Sequence, residues 1–209
     1  MNYLSICSGI EAATVAWHSL GWKPVAFSEI EAFPSAVLAH RFPDVPSLGD
    51  MTKYRSWGIA NRMANQHAGG KGDRCNIKGD IGNNRSRQSN ACHSDKSDFG
   101  GYIRGHSVNL VVGGTPCQSF SVAGLRKGMD DPRGNLALVF CGIVAALRPG
   151  WVVWENVPGV LSSNGGRDFG SFIGALAKLG YGCAYRILDA QYFGVPQRRR
   201  RVFVVWWLS

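Results

Sequence analysis

The sequence carries little charge, and its charge is unevenly balanced. Charged residues make up 18% of the 209 residues, and Lys and Arg outnumber Asp and Glu by 23 to 14, which gives a formal net charge of +9. No run approaches the roughly 20 consecutive apolar residues of a membrane span, and the chain opens directly into an apolar pattern without a leader. We therefore expect a soluble, cytoplasmic protein without membrane contact, and the positive balance favours a polyanionic partner.

The sequence also lacks closely spaced cysteine pairs. Its six cysteines are scattered, several within apolar runs, which is typical of reduced thiols rather than of a disulfide framework. We expect free thiols and interpret three of them as inert, namely Cys7, Cys141 and Cys183. Because no C-x-x-C pair occurs, we expect no metal site at the remaining Cys and His cluster, Cys75, Cys92, His93 and His106.

What the sequence does have is a regular alternation of strand and helix patterns. Apolar runs predict strands at 3–7, 24–28, 108–112, 151–154 and 202–207, and longer periodic stretches predict helices at 11–20, 32–41, 136–147 and 169–179. This alternation predicts an α/β fold, a doubly wound and mostly parallel sheet with ligands at the carboxyl ends of the strands. The strand at 202–207 is expected at an open edge of the sheet.

Residues 66–106 do not fit this alternation. Gly, Asn, Ser and charged residues dominate the segment, with almost no aliphatic residues and no period. Such a composition cannot bury enough apolar surface to offset the entropy lost on ordering. We expect a flexible polar insertion within a single domain that spans residues 1–209.

A glycine and a carboxylate near the first two strands indicate a cofactor. Gly9 lies at a strand-to-helix turn, where a glycine lets the backbone approach a ligand. Taken separately, Gly9 also fits an ordinary tight turn, and Glu29 fits a solvated surface carboxylate. Glu29 follows about 20 residues later, however, at the strand end where nucleotide-binding sheets carry an acid for ribose hydroxyls. The pair favours a nucleoside-containing cofactor.

Reactive side chains follow two later strands. Cys117 leaves the strand at 108–112 through the turn Gly113-Gly114-Thr115-Pro116, which holds a thiol at the ligand edge and favours a nucleophile. Glu155 directly follows the strand at 151–154 and should face the same crevice. It is a candidate general acid, with a helix-capping or salt-bridged carboxylate as the alternative.

An arginine run precedes the last strand. Such runs are commonly solvated or contact phosphates. Strand alternation directs Arg199 and Arg201 to one face and Arg198 and Arg200 to the other. We expect one pair at the site and the other at the exterior.

The order of three motifs resembles the DNA cytosine-5 methyltransferase family. PCQ in GGTPCQSFS, ENV in WENVPG and Q-x-R-x-R in QRRRR follow one another as that family's nucleophile, glutamate and arginine motifs do. The resemblance covers nearly all of residues 3–206 outside the insertion. It implies a Rossmann-like fold that uses S-adenosylmethionine to methylate C5 of cytosine in DNA through a covalent bond between a cysteine and C6.

The resemblance also implies roles for individual residues. Cys117 would be the nucleophile, Glu155 the acid that contacts the base, and Arg199 and Arg201 the arginines that steady it. SICSGIEA, SEIE, LGDM and RGNL match the family's cofactor segments. The implied cofactor-binding residues are Cys7, Ser8, Gly9, Ile10, Glu29, Ile30, Asp50, Met51, Pro116, Asn135 and Leu136. The implied nucleic-acid contacts are Gln118, Ser119, Ser121, Gln197, Arg198 and Arg200.

The chain departs from the family pattern in its first loop and at its end. Ser5, Glu11 and Ala12 stand where the family usually has an Asp and a run of glycines, and Ile30 stands where an aromatic residue often occurs. The sequence stops after the arginine motif, so we expect a fold that is incomplete at its C-terminal end, without the target-recognition region and closing motifs. Two explanations stay open: a second polypeptide that supplies that region, as in split members of the family, and a truncated or decayed gene of a phage or mobile element. A non-catalytic nucleic-acid or cofactor-binding remnant and an RNA cytosine-5 methyltransferase stay open as alternatives.

Overall fold

The structure, a computed structural model, describes residues 1–58, 107–116 and 136–208. Its strands are β1 (Asn2–Ile6), β2 (Lys23–Ser28), β3 (Leu110–Gly113), β4 (Trp151–Asn156), β5 (Tyr181–Asp189) and β6 (Arg200–Leu208). Its helices are α1 (Ala12–Trp17), α2 (Ala32–Arg41), α3 (Leu136–Leu147) and α4 (Arg167–Ala177). Short 3₁₀ turns occupy His18–Leu20, Met51–Ser56, Pro158–Leu161, Ser163–Gly166 and Ala190–Phe193. None of the helices in these ranges is long and apolar enough to cross a membrane.

The strands form one six-stranded sheet in the order β2-β1-β3-β4-β6-β5. The pairs β1–β2, β1–β3 and β3–β4 are parallel, whereas β6 is antiparallel to both of its neighbours. Strand β6 is therefore the single reversed strand of the sheet, and the prediction of a mostly parallel α/β sheet is confirmed. The chain leaves β1 towards β2 on one side and later returns to β3 on the other, which creates the switch point where such sheets bind ligands.

The reversed direction of β6 matters for the site. Because β6 runs against β4, its first residues lie at the same rim as the carboxyl ends of the parallel strands. Asn156, the last residue of β4, pairs with Val202 near the start of β6. The arginine run, which ends in the first two residues of β6, therefore lies at the end of the sheet where β1, β3 and β4 finish.

The expectation that the last strand lies at an open edge is wrong. Strand β5, which has nine residues and was not predicted from the sequence, pairs along all of β6. The pairing runs from Tyr181 opposite Leu208 to Asp189 opposite Arg200. Strand β5 forms the edge instead. Its central residues 184–187 are exposed, and Gly182 and Arg186 interrupt its apolar residues.

Aromatic packing under one face of the sheet forms the centre of the core. Phe172 of α4 contacts the rings of Phe140, Trp154 and Trp206, with ring centroids 6.2, 4.7 and 5.5 Å apart. All four side chains are at most 3% exposed. Helices α3 and α4 thus bury this face of β4 and β6.

The opposite face of β4 and β6 is only partly covered. Side chains alternate along a strand, and the register pairs Trp151 with Trp207 and Val153 with Val205 on this face. The two tryptophans remain 45% and 37% exposed, respectively. We call these four residues the open face.

Candidate active site

A cleft of about 610 Å³ lies at the carboxyl ends of β1, β3 and β4. Its walls come from the loop after β1, the inner side of α1, the end of β3, and the segments around Glu155 and β6. Its lining residues include Ser5, Cys7, Ser8, Glu11, Gly113, Gly114, Glu155, Arg199 and Phe203. The volume is within the range of about 300–1,000 Å³ that is typical of small-molecule sites.

The predicted ribose acid, Glu29, is held against the first loop. Its Oε2 accepts a hydrogen bond of 2.8 Å from the backbone N–H of Gly9, and its Oε1 accepts bonds of 2.9 Å from the N–H groups of Ile30 and Glu31. Gly9 adopts a left-handed φ of 55°, which glycine tolerates without strain. A carboxylate offers about four acceptor positions, so these three bonds leave Glu29 one position for a ligand hydroxyl.

The other residues of the predicted cofactor loops lie close to Glu29. The Ser8 hydroxyl donates to the carbonyl of Ser5 at 3.1 Å and accepts from the N–H of Ser28 at 3.3 Å, which ties the ends of β1 and β2 together. The Cys7 thiol donates to the sulfur of Met51 at 3.5 Å. Burial, reinforced by the charge of Glu29, raises the pKa of Cys7 to about 11.

Asp50 holds the segment before Met51 in place. It accepts a hydrogen bond of 2.9 Å from the N–H of Thr52 and so caps a 3₁₀ turn. The preceding Gly49 carbonyl accepts from the Ser28 hydroxyl at 2.6 Å. The predicted adenine segment therefore lies beside the ends of β1 and β2.

Two glycines bring β3 unusually close to its neighbours. A Cβ atom on Gly113 would lie 2.3 Å from the carbonyl oxygen of Ile6, and a Cβ on Gly114 would lie 2.8 Å from the carbonyl oxygen and 3.0 Å from Oε2 of Glu155. No larger residue fits either position without a backbone shift. The Gly-Gly pair thus lets the turn towards Cys117 pass directly beside the Glu155 side chain.

A buried polar cluster that sequence reasoning missed fixes this turn. Asn156 donates to the carbonyl of Thr115 at 2.7 Å and accepts from the N–H of Val157 at 2.9 Å, while the indole N–H of Trp154 donates to the Thr115 hydroxyl at 3.2 Å. Thr115 and Asn156 are 3% and 5% exposed. An Asn that follows an apolar strand was the available signal, since buried amides require partners.

Glu155 forms an ion pair with Arg201. The Arg201 Nε lies 2.9 Å from Oε1 of Glu155, with side-chain exposures of 22% and 35%, respectively. The salt-bridged alternative for Glu155 is therefore observed, with an arginine that is itself a predicted site residue. A second cavity of about 310 Å³ shares Glu155, Arg199 and Phe203 with the cleft and adds Arg201 and Phe193.

Of the other arginines in the run, only Arg199 lines the two cavities. Asp189 accepts a hydrogen bond of 3.0 Å from the N–H of Arg199 and so anchors the segment before β6. Gln197, Arg198 and Arg200 are exposed, and none of them lines either cavity.

Glu11 also lies in the site, although the sequence analysis assigned it no role there. It immediately precedes α1, lines the cleft and is 1% exposed. Burial raises its pKa above the ordinary range for a glutamate, an effect that the neighbouring Ser5 and Thr14 side chains oppose. The available signal was an acid at a position where the sequence otherwise resembles a glycine-rich loop.

Several predicted site residues lie apart from the cleft or outside the described residues. Ile10 and Ile30 are 53% and 69% exposed, Pro116 is exposed, and Leu136 packs against the core. Outside the described residues lie Cys117, Gln118, Ser119, Ser121 and Asn135, together with the predicted insertion and its cysteines and histidines. Within the described ranges no cluster of three metal-ligating side chains occurs.

Comparison with known proteins identifies the family. The model of the C-5 cytosine-specific DNA methylase family matches residues 82–208. The chain belongs to this family. Glu155 and Arg201, whose ion pair lies at one rim of the sheet, both fall within the matched range.

Among the proteins similar to this chain are several that are named methyltransferases. It is 40% identical to a protein of Escherichia phage P1 named DNA N-6-adenine-methyltransferase, with 97% of this chain and 28% of that protein covered. It is 30% identical to the type II methyltransferase M2.BsuMI of Bacillus subtilis, with 98% and 41% covered. The structure of the S. pombe Dnmt2 methyltransferase matches with a TM-score of 0.61 at 15% identity, covering 100% of this chain and 49% of that one. The chain thus has a Rossmann-like methyltransferase fold and spans less than half the length of these relatives.

Proposed function

We propose that this chain is the catalytic domain of a DNA (cytosine-5) methyltransferase that takes its methyl group from S-adenosylmethionine. The observation that carries the proposal is the ion pair between Glu155 and Arg201, which adjoins Gly114 in a cleft that continues to the loop after β1. This arrangement supports a single cavity that serves both the base and the cofactor. Cys117, the proposed nucleophile, follows Pro116 directly in the sequence and lies outside the described residues.

The chemistry of the first two strand ends fits the cofactor. Glu29 keeps one acceptor position for a ribose hydroxyl, and the backbone around Gly9 leaves open space, since a Cβ there would meet nothing within 4 Å. Asp50 and Met51 would border the adenine from the neighbouring segment. When bound, S-adenosylmethionine supplies an electrophilic methyl group.

The residues around the second half of the cleft fit the chemistry of the base. Cytosine C5 is a poor nucleophile, so the Cys117 thiolate adds to C6 while Glu155 binds N3, which builds enamine character at C5. After C5 has accepted the methyl group, its proton leaves and the bond between sulfur and C6 breaks, which restores the thiol. Arg201 holds the Glu155 side chain in position during these steps.

The target must be removed from a duplex before it can enter this cavity. Base flipping costs a few kcal/mol and relies on phosphate contacts from basic residues. The exposed Arg198 and Arg200 flank the cleft and are suited to such contacts, and so is Gln197. The net charge of +9 gives a general attraction to DNA.

The proposal includes further polypeptide for target recognition. The open face, Trp151, Val153, Val205 and Trp207, exposes two large aromatic side chains at the amino end of β4, and the chain spans less than half the length of its relatives. We expect a second polypeptide, or a longer form of this chain, to cover that face. Tritiated methyl transfer to DNA should therefore rise when the missing part is supplied.

Covalent trapping on DNA tests the proposed chemistry. In DNA that contains 5-fluorocytosine, a fluorine replaces the hydrogen at C5. It cannot be removed as the C5 proton is, so the cysteine is not eliminated, and the adduct should persist and survive denaturing electrophoresis. We expect an adduct with the wild-type chain and S-adenosylmethionine, and none with Cys117→Ser. Cys141→Ser serves as the matched control and should form the adduct, because that thiol is 5% exposed in the core.

The same experiment separates the alternatives. A folded chain that binds S-adenosylmethionine and DNA but forms no adduct, alone or with the missing part, would be a binding remnant rather than an enzyme. Methyl transfer to tRNA in preference to DNA would assign the chain to RNA. Transfer that persists in Cys117→Ser would contradict the covalent mechanism.

A further inference from the structure

Glu11 is a cleft residue for which the proposed chemistry has no use, and its conformation is strained. Its backbone adopts φ 68° and ψ 65°, the left-handed region that residues with a Cβ avoid. Strain of this kind persists only where the surroundings fix it, and it concentrates at functional sites.

The Glu11 carboxylate is buried with only one of its oxygens bonded. Oε1 accepts hydrogen bonds of 3.1 Å from both the N–H and the hydroxyl of Thr14. The Thr14 hydroxyl lies 2.5 Å from the hydroxyl of Tyr3, so Tyr3 donates to Thr14 and Thr14 donates to Glu11. Oε2 makes no hydrogen bond within the described part of the chain, although the Ser5 side chain lies close enough to the carboxylate to lower its pKa. A buried acceptor without a donor is costly.

Helix capping alone does not require this arrangement. Asp50 and Asp189 also cap short turns, but they do so at ordinary φ values of −69° and −118°. Neither of these capping carboxylates is fully buried. The burial, the strain and the free oxygen of Glu11 therefore require another explanation.

The chemistry of the cofactor provides a donor for that oxygen. Of the two cationic groups of S-adenosylmethionine, the sulfonium carries no hydrogen, whereas the α-ammonium carries three N–H donors. The ribose hydroxyls are already matched by Glu29. The ammonium is thus the cofactor group that can satisfy Oε2 and neutralise the carboxylate.

We propose that Glu11 binds the α-ammonium group at the amino-acid end of the cofactor through Oε2 and selects ligands that carry it. The inference rests on the proposed use of S-adenosylmethionine. Because Glu11 is 1% exposed, the side chains around it shift as the cofactor enters. The strained turn then holds a counter-charge at the bottom of the cleft, beside Ser5 and Thr14.

Calorimetric titration of the full chain with two ligands tests this assignment. S-adenosylhomocysteine carries the ammonium, whereas 5′-methylthioadenosine keeps the adenosine and sulfur but lacks the amino-acid end. Glu11→Gln should weaken S-adenosylhomocysteine binding by about 10- to 100-fold, the effect of losing a charged hydrogen bond. Binding of 5′-methylthioadenosine should change by less than about twofold. Gln retains an acceptor for Thr14, so the helix cap is preserved.

Two further variants separate charge from structure. Thr14→Ala removes the cap contacts but leaves the carboxylate, and it should retain most of the preference for S-adenosylhomocysteine. The Ser5 side chain neighbours the carboxylate, so Ser5→Asp combined with Glu11→Gly should bind S-adenosylhomocysteine more tightly than Glu11→Gly alone.

The possible outcomes distinguish this inference from the proposed function. An equal loss for both ligands in Glu11→Gln, or no loss for either, overturns the role of Glu11 while leaving the function intact. The absence of recovery in the double variant overturns it as well. A folded wild-type chain that binds neither ligand contradicts the proposed function itself.

Discussion

At the scale of single residues, Cys7 and Cys141 differ sharply from a catalytic thiol. Cys7 lies at the cleft, yet burial and the charge of Glu29 raise its pKa to about 11, and burial alone raises that of Cys141 to about 12. A thiol with a raised pKa is protonated at neutral pH and is a poor nucleophile. Position at the rim is therefore not sufficient for reactivity.

Alkylation kinetics should reveal this difference. At pH 8 only about one Cys7 thiol in a thousand should be ionised, so iodoacetamide should label it slowly. The rate should rise about tenfold per pH unit between pH 8 and 10, since the thiolate population grows with each unit below a pKa of about 11. Peptide mass spectrometry measures the labelling, with urea-unfolded chain as the fast reference. Equal rates in folded and unfolded chain at pH 8 would contradict the raised pKa.

The predictability of the site also differs residue by residue. Glu155 and Arg201 could be predicted to meet, because both lie next to strands and a shared rim follows from topology. Glu11 could not, since its role depends on a left-handed backbone and on contacts with Thr14 that no spacing reveals. Thr115 was hidden in the same way, because its partners Trp154 and Asn156 lie on another strand.

At the scale of elements, the helices and strands that could be predicted are those in which burial imposes a regular pattern of apolar residues. The predicted bounds of α2 and α3 agree with the observed Ala32–Arg41 and Leu136–Leu147. Strand β5 escaped prediction because it is an edge strand with an exposed centre, and because Gly182 packs where a Cβ would come within 2.9 Å of the Trp207 ring. Such a strand is defined by its partner rather than by its own pattern.

The aromatic cluster under α4 should carry a large share of the stability. Phe172→Ala removes a ring that packs on Trp154 and Trp206, and we expect it to lower the free energy of unfolding by about 3–5 kcal/mol. Phe33→Ala is the matched control, because that ring is 75% exposed and its loss should cost less than about 0.5 kcal/mol. Urea titration measures both. Similar midpoints for the two variants would show that α4 does not depend on this cluster.

At the scale of the whole molecule, one reversed strand unites the two halves of the site. The parallel strands deliver Glu29, Gly114 and Glu155 to a common rim by their carboxyl ends, whereas β6 delivers its arginines by its amino end. Had β6 run parallel to β4, the arginine run would lie at the far end of the sheet. The direction of a single strand thus determines whether base and phosphate contacts can share one cleft.

This geometry predicts which basic residues contribute to the salt dependence of DNA binding. Arg200 is exposed at the rim, so Arg200→Ala should weaken binding to all sequences and reduce the slope of log K against log salt by about 0.9, the effect of one lost phosphate contact. Lys23→Ala removes an equally exposed charge at the amino end of β2, away from the cleft, and should leave the slope unchanged. Fluorescence anisotropy over a range of salt concentrations measures both. Equal slopes in the two variants would contradict a phosphate contact by Arg200. The net charge of +9 would then attract DNA without a specific contribution from the rim.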